Sequence, residues 1–193
     1  EAFGLVGESG CGNSTVGRLA LRLIDPDEGN ITFEGEEIAD QSRRSLRHLR
    51  RRMQMIFQDP YSSLNPRMTI GEIVGEGLKL HQNHDSSIVR DKVAIWLEKV
   101  GLHADHMSRY PHEFSGGQRQ RIGIARAMIL EPECVVCDEP LSALDASVQE
   151  QVINLLGELT ESMGLHLLFS SHDPSMVRYV CVRKASVFLC SLV

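Results

Sequence analysis

A glycine-rich loop between a short apolar run and a helical repeat restricts the possible folds of this chain more than any other feature. Residues 7–15 read Gly-Glu-Ser-Gly-Cys-Gly-Asn-Ser-Thr, which matches the pattern G-x-x-x-x-G-K-[ST] except that Asn13 replaces the lysine. The apolar run 3–6 precedes the loop, and Val16, Leu19, Ala20 and Leu23 follow it at helical spacing. A strand, a tight turn and a helix form the context that a phosphate-binding loop requires. We therefore expect an α/β fold that begins with these three elements.

The loop carries two kinds of group that suit a phosphate. Its glycines allow backbone N–H groups to face one anion, and the start of the next helix adds a partial positive charge. The Ser14 hydroxyl is placed to ligate Mg²⁺ between the terminal phosphates, and Thr15 supplies a hydroxyl for the inner phosphates. The candidate nucleotide-binding residues here are Gly7, Glu8, Ser9, Gly10, Cys11, Gly12, Asn13, Ser14 and Thr15.

Asn13 removes a charge from the loop. Asparagine is shorter than lysine and uncharged, so it cannot reach or neutralise the β and γ oxygens of a nucleotide. A charge-assisted hydrogen bond contributes about 1.5–3 kcal/mol, so we expect nucleotide affinity to fall about ten- to a hundredfold or more. Hydrolysis should suffer further, because the lysine also offsets charge that develops during phosphoryl transfer.

Length and composition indicate one ordinary globular domain. The chain has 193 residues, and its 42% hydrophobic content is ample for a core. No apolar stretch of about 18 residues is present, and no secretory signal pattern opens the chain, so we expect a cytosolic protein. Cys134 and Cys137 have metal-ligand spacing, but they lie in an apolar strand that would turn them to opposite faces, so we do not expect a shared metal.

The charge distribution argues against a general nucleic-acid-binding protein. The net charge is −6, although the segment 43–52 contains six arginines. Leu46, Leu49 and Met53 within or beside this segment predict an amphipathic helix. Its basic face is either a solvated surface, which is the commoner case, or a phosphate-binding patch.

Apolar strands alternate with helices along the rest of the chain. The runs 53–57, 134–137 and 166–169 predict strands, and Ser147 with Glu150 predicts a capping box at the start of another helix. Such alternation favours a mostly parallel sheet with helices on both faces. Ligands of such sheets gather at the carboxyl ends of the strands. The polar residues that directly follow strands here are Gln58, Asp138, Glu139 and His172.

The segment from 61 to about 130 has a different character. Apolar residues at helical spacing over 70–80 and 89–100 predict a helical insertion between strands of the sheet. Trp96 lies on this pattern, and we expect it in the core of the insertion rather than at a ligand.

Residues 114–121 read Phe-Ser-Gly-Gly-Gln-Arg-Gln-Arg, which resembles the L-S-G-G-Q signature of the nucleotide-binding subunits of ABC transporters. The order of phosphate loop, Gln58, signature, Asp138-Glu139 and His172 resembles the same family over most of the chain. The segments 57–67 and 109–113 look like the branch that drives dipeptide and oligopeptide importers. The resemblance implies a P-loop NTPase (RecA-like) core, formed by 1–59 and 131–193, and a helical subdomain over 60–130 that includes the signature.

The resemblance also implies a role for each candidate at the strand ends. Ser14 would ligate Mg²⁺ directly and Asp138 through water. Glu139 would polarise the attacking water, and His172 would contact the γ-phosphate. Gln58 would sense metal and water and connect the nucleotide to the helical insertion.

The signature implies a shared site. Ser115, Gly116 and Gly117 would begin a helix whose N-terminal amides bind the γ-phosphate held by the opposite subunit, and Gln118 completes the motif. Asp145 would lie at the subunit junction. The implied ligands are ATP and Mg²⁺. The implied partners are a second ABC ATPase subunit, transmembrane permease subunits at the cytoplasmic face of the inner membrane and, indirectly, a solute-binding protein, with no nucleic acid.

Three functions remain open on the sequence. The first is an ATP-hydrolysing subunit of a peptide importer that is impaired by Asn13, and the second is a non-catalytic nucleotide-binding regulatory subunit. The third is an ABC ATPase that acts on nucleic acid, which only the segment 43–52 supports. The family's early strands and adenine-stacking aromatic residue are absent before the loop, and the resemblance ends after Tyr179. The chain therefore resembles a piece of a domain.

Overall fold

The computed structural model describes residues 1–8, 10–82, 85–188 and 191–192, and a mostly parallel sheet lies at its centre. Its strands are β1 (Ala2–Gly7), β4 (Met53–Ile56), β5 (Cys134–Asp138), β6 (His166–Ser171), β7 (Arg183–Phe188) and β8 (Ser191–Leu192). Their spatial order is β4-β5-β6-β1-β7-β8, and the β7 and β8 pair is antiparallel. A separate antiparallel pair consists of β2 (Thr32–Phe33) and β3 (Glu36–Glu37).

The helices occupy both faces of the sheet and the insertion between β4 and β5. They are α1 (Asn13–Ala20), α2 (Arg43–Arg52), α3 (Ile70–Gln82), α4 (Ser86–Lys99), α5 (Gly116–Met128), α6 (Ala146–Met163) and α7 (Pro174–Val180), with 3₁₀ turns at Ala104–Ser108 and Pro111–Glu113. None of the helices in the described residues is long and apolar enough to cross a membrane.

Alternate residues of β5 show that both faces of the sheet are covered. Val135 and Cys137 belong to a large core cluster that includes residues of α6. Val136 belongs to a second cluster, together with Leu46 and Leu49 of α2. Because successive side chains of a strand point to opposite faces, the sheet is buried on both sides, as the sequence predicts.

The helical insertion shares the large core cluster with the sheet. Ile73 of α3, Trp96 of α4 and Ile122 of α5 are buried in it together with Ile56 of β4. Trp96 is 4% exposed and lies in the core, as expected from its helical spacing. This shared core packs α5, which carries the signature, against the strand that precedes Gln58.

Two local expectations are wrong. The first helix ends at Ala20, and Leu23 is exposed, because Arg22 adopts a left-handed conformation (φ 51°) that ends the helical repeat. The long helix α6 begins at Ala146 with Asp145 as its N-cap, so Ser147 and Glu150 do not form the capping box. The backbone carbonyl of Asp145 already accepts the amides of Val148 and Gln149 at 2.9 Å.

The two cysteines of β5 differ in burial. Cys137 is fully buried, whereas Cys134 is half-buried. Burial raises the pKa of both thiols above the usual range.

Candidate functional site

The glycine-rich loop leaves β1 and turns directly into α1. Gly10 and Gly12 have φ angles of 84° and 105°, in the left-handed region that glycine adopts without strain. At Gly7 a Cβ atom would lie 2.3 Å from Cys11 Sγ and 2.8 Å from the carbonyl oxygen of Val187. Close packing therefore requires glycine at position 7, and the left-handed backbone favours glycine at positions 10 and 12. Ser9, one of the candidates, lies outside the described residues.

The remaining loop candidates differ in exposure. Glu8 and Thr15 are exposed, whereas Cys11 is buried against Gly7. The Glu8 carbonyl accepts the Cys11 amide at 3.0 Å, which closes the turn. Thr15 therefore presents its hydroxyl at the surface, and Cys11 fills the loop interior.

Asn13, at the first position of α1, is buried without a partner. It is 4% exposed, and neither Nδ2 nor Oδ1 makes a hydrogen bond to any described residue. A Cβ atom on Gly7 would lie 3.2 Å from Asn13 Oδ1, so the amide reaches back over the start of the loop. A buried polar group without a partner costs about 1–3 kcal/mol. Asparagine thus places a neutral, buried amide at the position where the loop pattern has a charged lysine.

Ser14 and Asp138 form the second part of the site. Ser14 Oγ donates to Asp138 Oδ1 at 2.7 Å, and Asp138 is 2% exposed at the end of β5. A hydroxyl and one carboxylate suit Mg²⁺, which takes few protein ligands and completes its shell with water and substrate phosphates. The described residues contain no cluster of three or more histidine, cysteine or carboxylate side chains that would indicate another metal site. The residues present therefore fit a magnesium–nucleotide complex.

Glu139 is the centre of the third part. Its Oε2 atom lies 3.3 Å from Gln58 Nε2 and 3.3 Å from His172 Nδ1. The Glu139 carboxylate is 13% exposed, whereas His172 is exposed. A carboxylate only accepts hydrogen bonds, so a hydrogen bond in this contact requires a form of His172 with a proton on Nδ1. The structure thus brings three strand-end candidates together on one carboxylate group.

The Glu139 backbone is held in an unusual conformation. Its φ angle is 41°, which a non-glycine residue adopts at a cost. The Glu139 amide donates to Ser170 Oγ at 3.0 Å, and its carbonyl accepts the amide and hydroxyl of Ser142 at 3.2 and 3.1 Å. These bonds fix the direction of the carboxylate.

Sequence reasoning missed Ser170. Its hydroxyl donates to the Cys137 carbonyl at 3.2 Å and lies 3.5 Å from Asp138 Oδ1, so it supports both acidic residues. Ser170 pairs with Asp138 in the parallel register of β5 and β6. The sequence signal that could have identified Ser170 is a small hydroxyl residue near the end of β6, the strand beside β5.

Water has room beside Glu139. A cavity of about 60 Å³ is bordered by Glu139, Ser142 and His172. This volume accommodates water but no nucleotide.

The signature residues lie at the start of α5. Ser115 is the N-cap, its hydroxyl accepts the Gln118 amide at 3.3 Å, and Gln118 Oε1 accepts the Ser115 amide at 3.0 Å. A Cβ atom on Gly116 would lie 3.9 Å from Leu144, and one on Gly117 would lie 2.5 Å from Val148 Cγ1. The signature therefore packs against the residues around the start of α6.

Asp145 and the signature make no hydrogen bond to the phosphate loop among the described residues. Asp145 is exposed, and its side chain does not cap α6. In the described part of the chain, the hydrogen bonds of Ser115 and Gln118 stay within α5. The α5 N-terminus thus does not complete the site of its own chain through these contacts.

A glycine-rich loop between β1 and α1, a hydroxyl paired with a strand-end carboxylate, and a mostly parallel sheet together define a P-loop nucleotide-binding protein. The family model for the ABC transporter matches residues 1–142, and the chain belongs to this family. This match confirms the family that the signature predicts.

Relatives and solved structures agree with this family. The chain is 52% identical over 195 residues to the oligopeptide transport ATP-binding protein OppF of Bacillus subtilis, covering 100% of this chain and 64% of the relative. It is 54% identical to a putative peptide import ATP-binding protein of Brucella ovis, covering 98% of this chain and 60% of the relative. The chain thus spans about three fifths of the length of these curated relatives.

Two solved structures confirm the fold. The dimeric ATP-binding cassette MJ0796, in a post-hydrolysis state bound to ADP and Pi, superposes with a TM-score of 0.90 at 27% identity and covers 100% of this chain and 83% of its own. The cbiO1 protein of Clostridium perfringens, part of the ABC transporter complex cbiONQ, superposes with a TM-score of 0.87 at 25% identity and covers 100% of this chain and 75% of its own.

Proposed function

We propose that this protein binds MgATP and hydrolyses it as the ATP-binding subunit of an ABC transporter that imports peptides. The observation that carries this proposal is the Glu139 carboxylate, held between Gln58 and His172 beside a cavity that accommodates water. The peptide class rests on relatives named for oligopeptide and peptide import at 52–54% identity.

Glu139 is the candidate general base. A carboxylate that accepts hydrogen bonds from two neighbours is fixed in direction, and it can orient water for attack on a terminal phosphate. Gln58 and His172 hold one carboxylate oxygen at 3.3 Å each. His172 would contact the γ-phosphate, and Gln58 would report its presence to the helical subdomain over 60–130.

Ser14 and Asp138 are the candidate residues for Mg²⁺. The 2.7 Å contact between their oxygen atoms already brings together a hydroxyl ligand and a carboxylate. Mg²⁺ between the phosphates would neutralise charge that develops in phosphoryl transfer. The loop from Gly7 to Thr15 would cradle the phosphates through its backbone amides.

Asn13 limits the nucleotide affinity and the turnover expected of this site. A neutral amide in place of lysine weakens the contact to the β and γ phosphates, so affinity and turnover are both expected to be low. The buried, unpartnered amide group also favours a second candidate function, in which the protein binds nucleotide without hydrolysing it and regulates assembly.

A second subunit would complete the site. The exposed Ser115 at the α5 N-terminus and the exposed Asp145 at α6 would face the nucleotide held by the opposite subunit. With a partner whose loop carries lysine, this chain would contribute an intact signature. In a homodimer, Asn13 would weaken both sites.

The membrane partner would occupy the groove between the sheet and the helical insertion. This groove has a volume of about 230 Å³ and is lined by Leu23, Arg50, Phe57 and Leu80, among others. It begins directly before Gln58, so a transmembrane permease subunit docked there would contact the nucleotide-sensing segment. The protein would then act at the cytoplasmic face of the inner membrane, and a solute-binding protein would deliver the peptide.

The test compares MgATP affinity and turnover for the protein, its Asn13→Lys variant and the Asn13→Lys/Glu139→Gln double variant. We expect Asn13→Lys to tighten binding about ten- to a hundredfold and to raise turnover, and Glu139→Gln to abolish turnover while binding persists. Binding without turnover in Asn13→Lys supports the non-catalytic candidate and contradicts the ATPase.

A separate measurement tests whether two subunits share the nucleotide site. Mixing the protein with a paralogous subunit that carries the loop lysine should raise ATPase activity in a way that depends on Ser115. An equal rise with the Ser115→Arg variant contradicts the contribution of this signature.

A further inference from the structure

Arg119, on the signature helix α5, is buried and lies against an aromatic ring. It is 5% exposed, its Nε donates to the Pro111 carbonyl at 2.7 Å, and its guanidinium carbon lies 3.6 Å from the centroid of Tyr61. Among the described residues no carboxylate lies within ion-pair distance of it, and its Nη1 has no hydrogen-bond partner. Arg119 Nη2 also donates to the His112 carbonyl at 3.4 Å, and the Tyr61 ring, which is 65% exposed, covers one face of the guanidinium.

Arg126 makes a parallel set of contacts two turns further along the same helix. Its guanidinium donates to the Ser63 carbonyl and lies 5.6 Å from the centroid of Phe57. Burial lowers the pKa of Arg126, which reflects its desolvated position. Seven helical residues span about 10 Å, so the two arginines hold two points on one side of α5.

The two arginines contact the segment 57–63, which contains Gln58. Phe57 lies on Arg126 and Tyr61 on Arg119, so the exposed Gln58 lies in the chain between two aromatic residues that contact α5. The turn itself is closed by Asp59, whose Oδ1 accepts the Tyr61 amide at 2.7 Å and whose carbonyl accepts the Ser63 amide at 3.2 Å. The segment 57–63 is thus one compact turn fastened to α5 at both ends.

We propose that Arg119 and Tyr61 are positioning residues that fasten the Gln58 turn to the signature helix, so that displacement of the α5 N-terminus moves Gln58 relative to Glu139. Arg119 follows Ser115 by one helical turn, and Gln58 Nε2 lies 3.3 Å from Glu139 Oε2. A contact of α5 with nucleotide on a partner subunit would then change the position of Gln58 relative to the Glu139 carboxylate. The catalytic consequence rests on the proposed ATPase function, whereas the mechanical contact does not.

The first measurement needs no catalysis. Hydrogen exchange of the peptide covering 57–63 is followed in the protein and in the Arg119→Met and Tyr61→Leu variants. We expect exchange at Tyr61 and Ser63 to rise about two- to fivefold in both, since a cation–π contact with a partly exposed ring is lost. Arg121→Met is the matched control, because Arg121 on the same helix bonds the Val100 carbonyl and Gln151 instead.

Unchanged exchange in both variants, or an equal rise in Arg121→Met, overturns the proposal. Tyr61→Phe keeps the ring face and should retain the exchange of the parent protein. If Tyr61→Phe exchanges as fast as Tyr61→Leu, the ring is not the anchor and the proposal fails.

The second measurement separates positioning from binding in the Asn13→Lys background. We expect Tyr61→Leu and Arg119→Met to lower kcat about two- to fivefold with KM within about twofold, and the double variant to fall no further than either single one. Tyr61→Phe should restore kcat. Unchanged kcat in both single variants contradicts the positioning role. Absence of turnover in Asn13→Lys itself contradicts the ATPase, and hydrogen exchange alone then decides the contact.

Discussion

Ser14 Oγ lies 2.7 Å from Asp138 Oδ1, although 124 positions separate the two residues in the chain. The strand that carries Asp138 is not adjacent to β1, since β6 lies between them. The helix α1 crosses this gap, and a Cβ atom on Gly17 would lie 2.9 Å from Val136 Cγ1. Close packing of α1 on β5 therefore aligns the hydroxyl with the carboxylate before any ligand is involved.

Removing either member of this pair should remove the magnesium dependence of nucleotide binding. We expect Ser14→Ala and Asp138→Asn each to weaken MgATP binding about tenfold while affinity for ATP in EDTA changes less than about twofold. Titration calorimetry with and without Mg²⁺ measures both. Ser108→Ala, which loses a hydroxyl bond to Asp105, serves as a control. Equal losses with and without Mg²⁺ would show that the pair has only a structural role.

The unpartnered amide of Asn13 should lower the stability of the free protein. Replacing Asn13 with alanine removes a buried donor and acceptor, so we expect the free energy of unfolding to rise by about 1 kcal/mol. Urea denaturation without nucleotide measures the change. Asn154→Ala provides a surface control, because the Asn154 side chain is exposed and its Oδ1 accepts the Tyr179 hydroxyl. A loss of stability in Asn13→Ala would indicate that the amide is satisfied.

A side chain at position 117 should be tolerated only if the side chain at position 148 is made smaller. A Cβ atom there would lie 2.5 Å from Val148 Cγ1, so Gly117→Ala should cost about 1–3 kcal/mol of unfolding free energy. Adding Val148→Ala should recover part of that loss. Gly123→Ala on the same helix is the matched control, because its Cβ would meet no atom within 4 Å and alanine favours the helix. Equal effects at the two glycines would refute a specific clash.

The salt bridge between Arg52 and Glu133 should contribute stability that depends on pH. Arg52 Nε and Nη2 donate to the two Glu133 oxygens at 2.6 Å each, and these bonds lower the pKa of Glu133. A lowered pKa stabilises the folded state above the unfolded value of about 4.3, and this contribution is lost as pH falls through the folded pKa. Because Glu133 is 43% exposed, we expect Glu133→Gln to cost about 0.5–1 kcal/mol at pH 7.

Urea midpoints at pH 7, 5, 4 and 3 follow this contribution. The difference between the protein and Glu133→Gln should shrink toward zero below about pH 4. Glu158→Gln, whose carboxylate makes no ion pair among the described residues, should show little difference at any pH. A difference for Glu133→Gln that persists at pH 3 would rule out the ion pair as its cause.

Most of the secondary structure could be predicted because local signals agreed. The alternation of Val135, Val136 and Cys137 between two core clusters, and the burial of Leu46 and Leu49 on α2, follow directly from strand and helix periodicity. The errors arose where the backbone, rather than side-chain periodicity, sets the boundary. The left-handed φ of Arg22 ends α1, and no spacing rule signals it.

The candidate site was only partly accessible to sequence reasoning. The rule that ligands collect at strand ends selected Gln58, Asp138, Glu139 and His172, and the structure places Gln58 and His172 on one oxygen of Glu139. Ser170 was missed because its role depends on the register between β5 and β6. The roles proposed for these residues await the measurements above.

The sequence by itself determined the family, the phosphate loop and the lost lysine, because these depend on residue identity and spacing within short segments. Only the tertiary structure decided that the Asn13 amide is buried without a partner and that Ser170 supports both acidic residues. It also decided that Arg119 lies on Tyr61. Those relationships depend on packing between elements far apart in the chain, where burial and strand register fix which polar groups meet, and neither quantity is encoded in local periodicity.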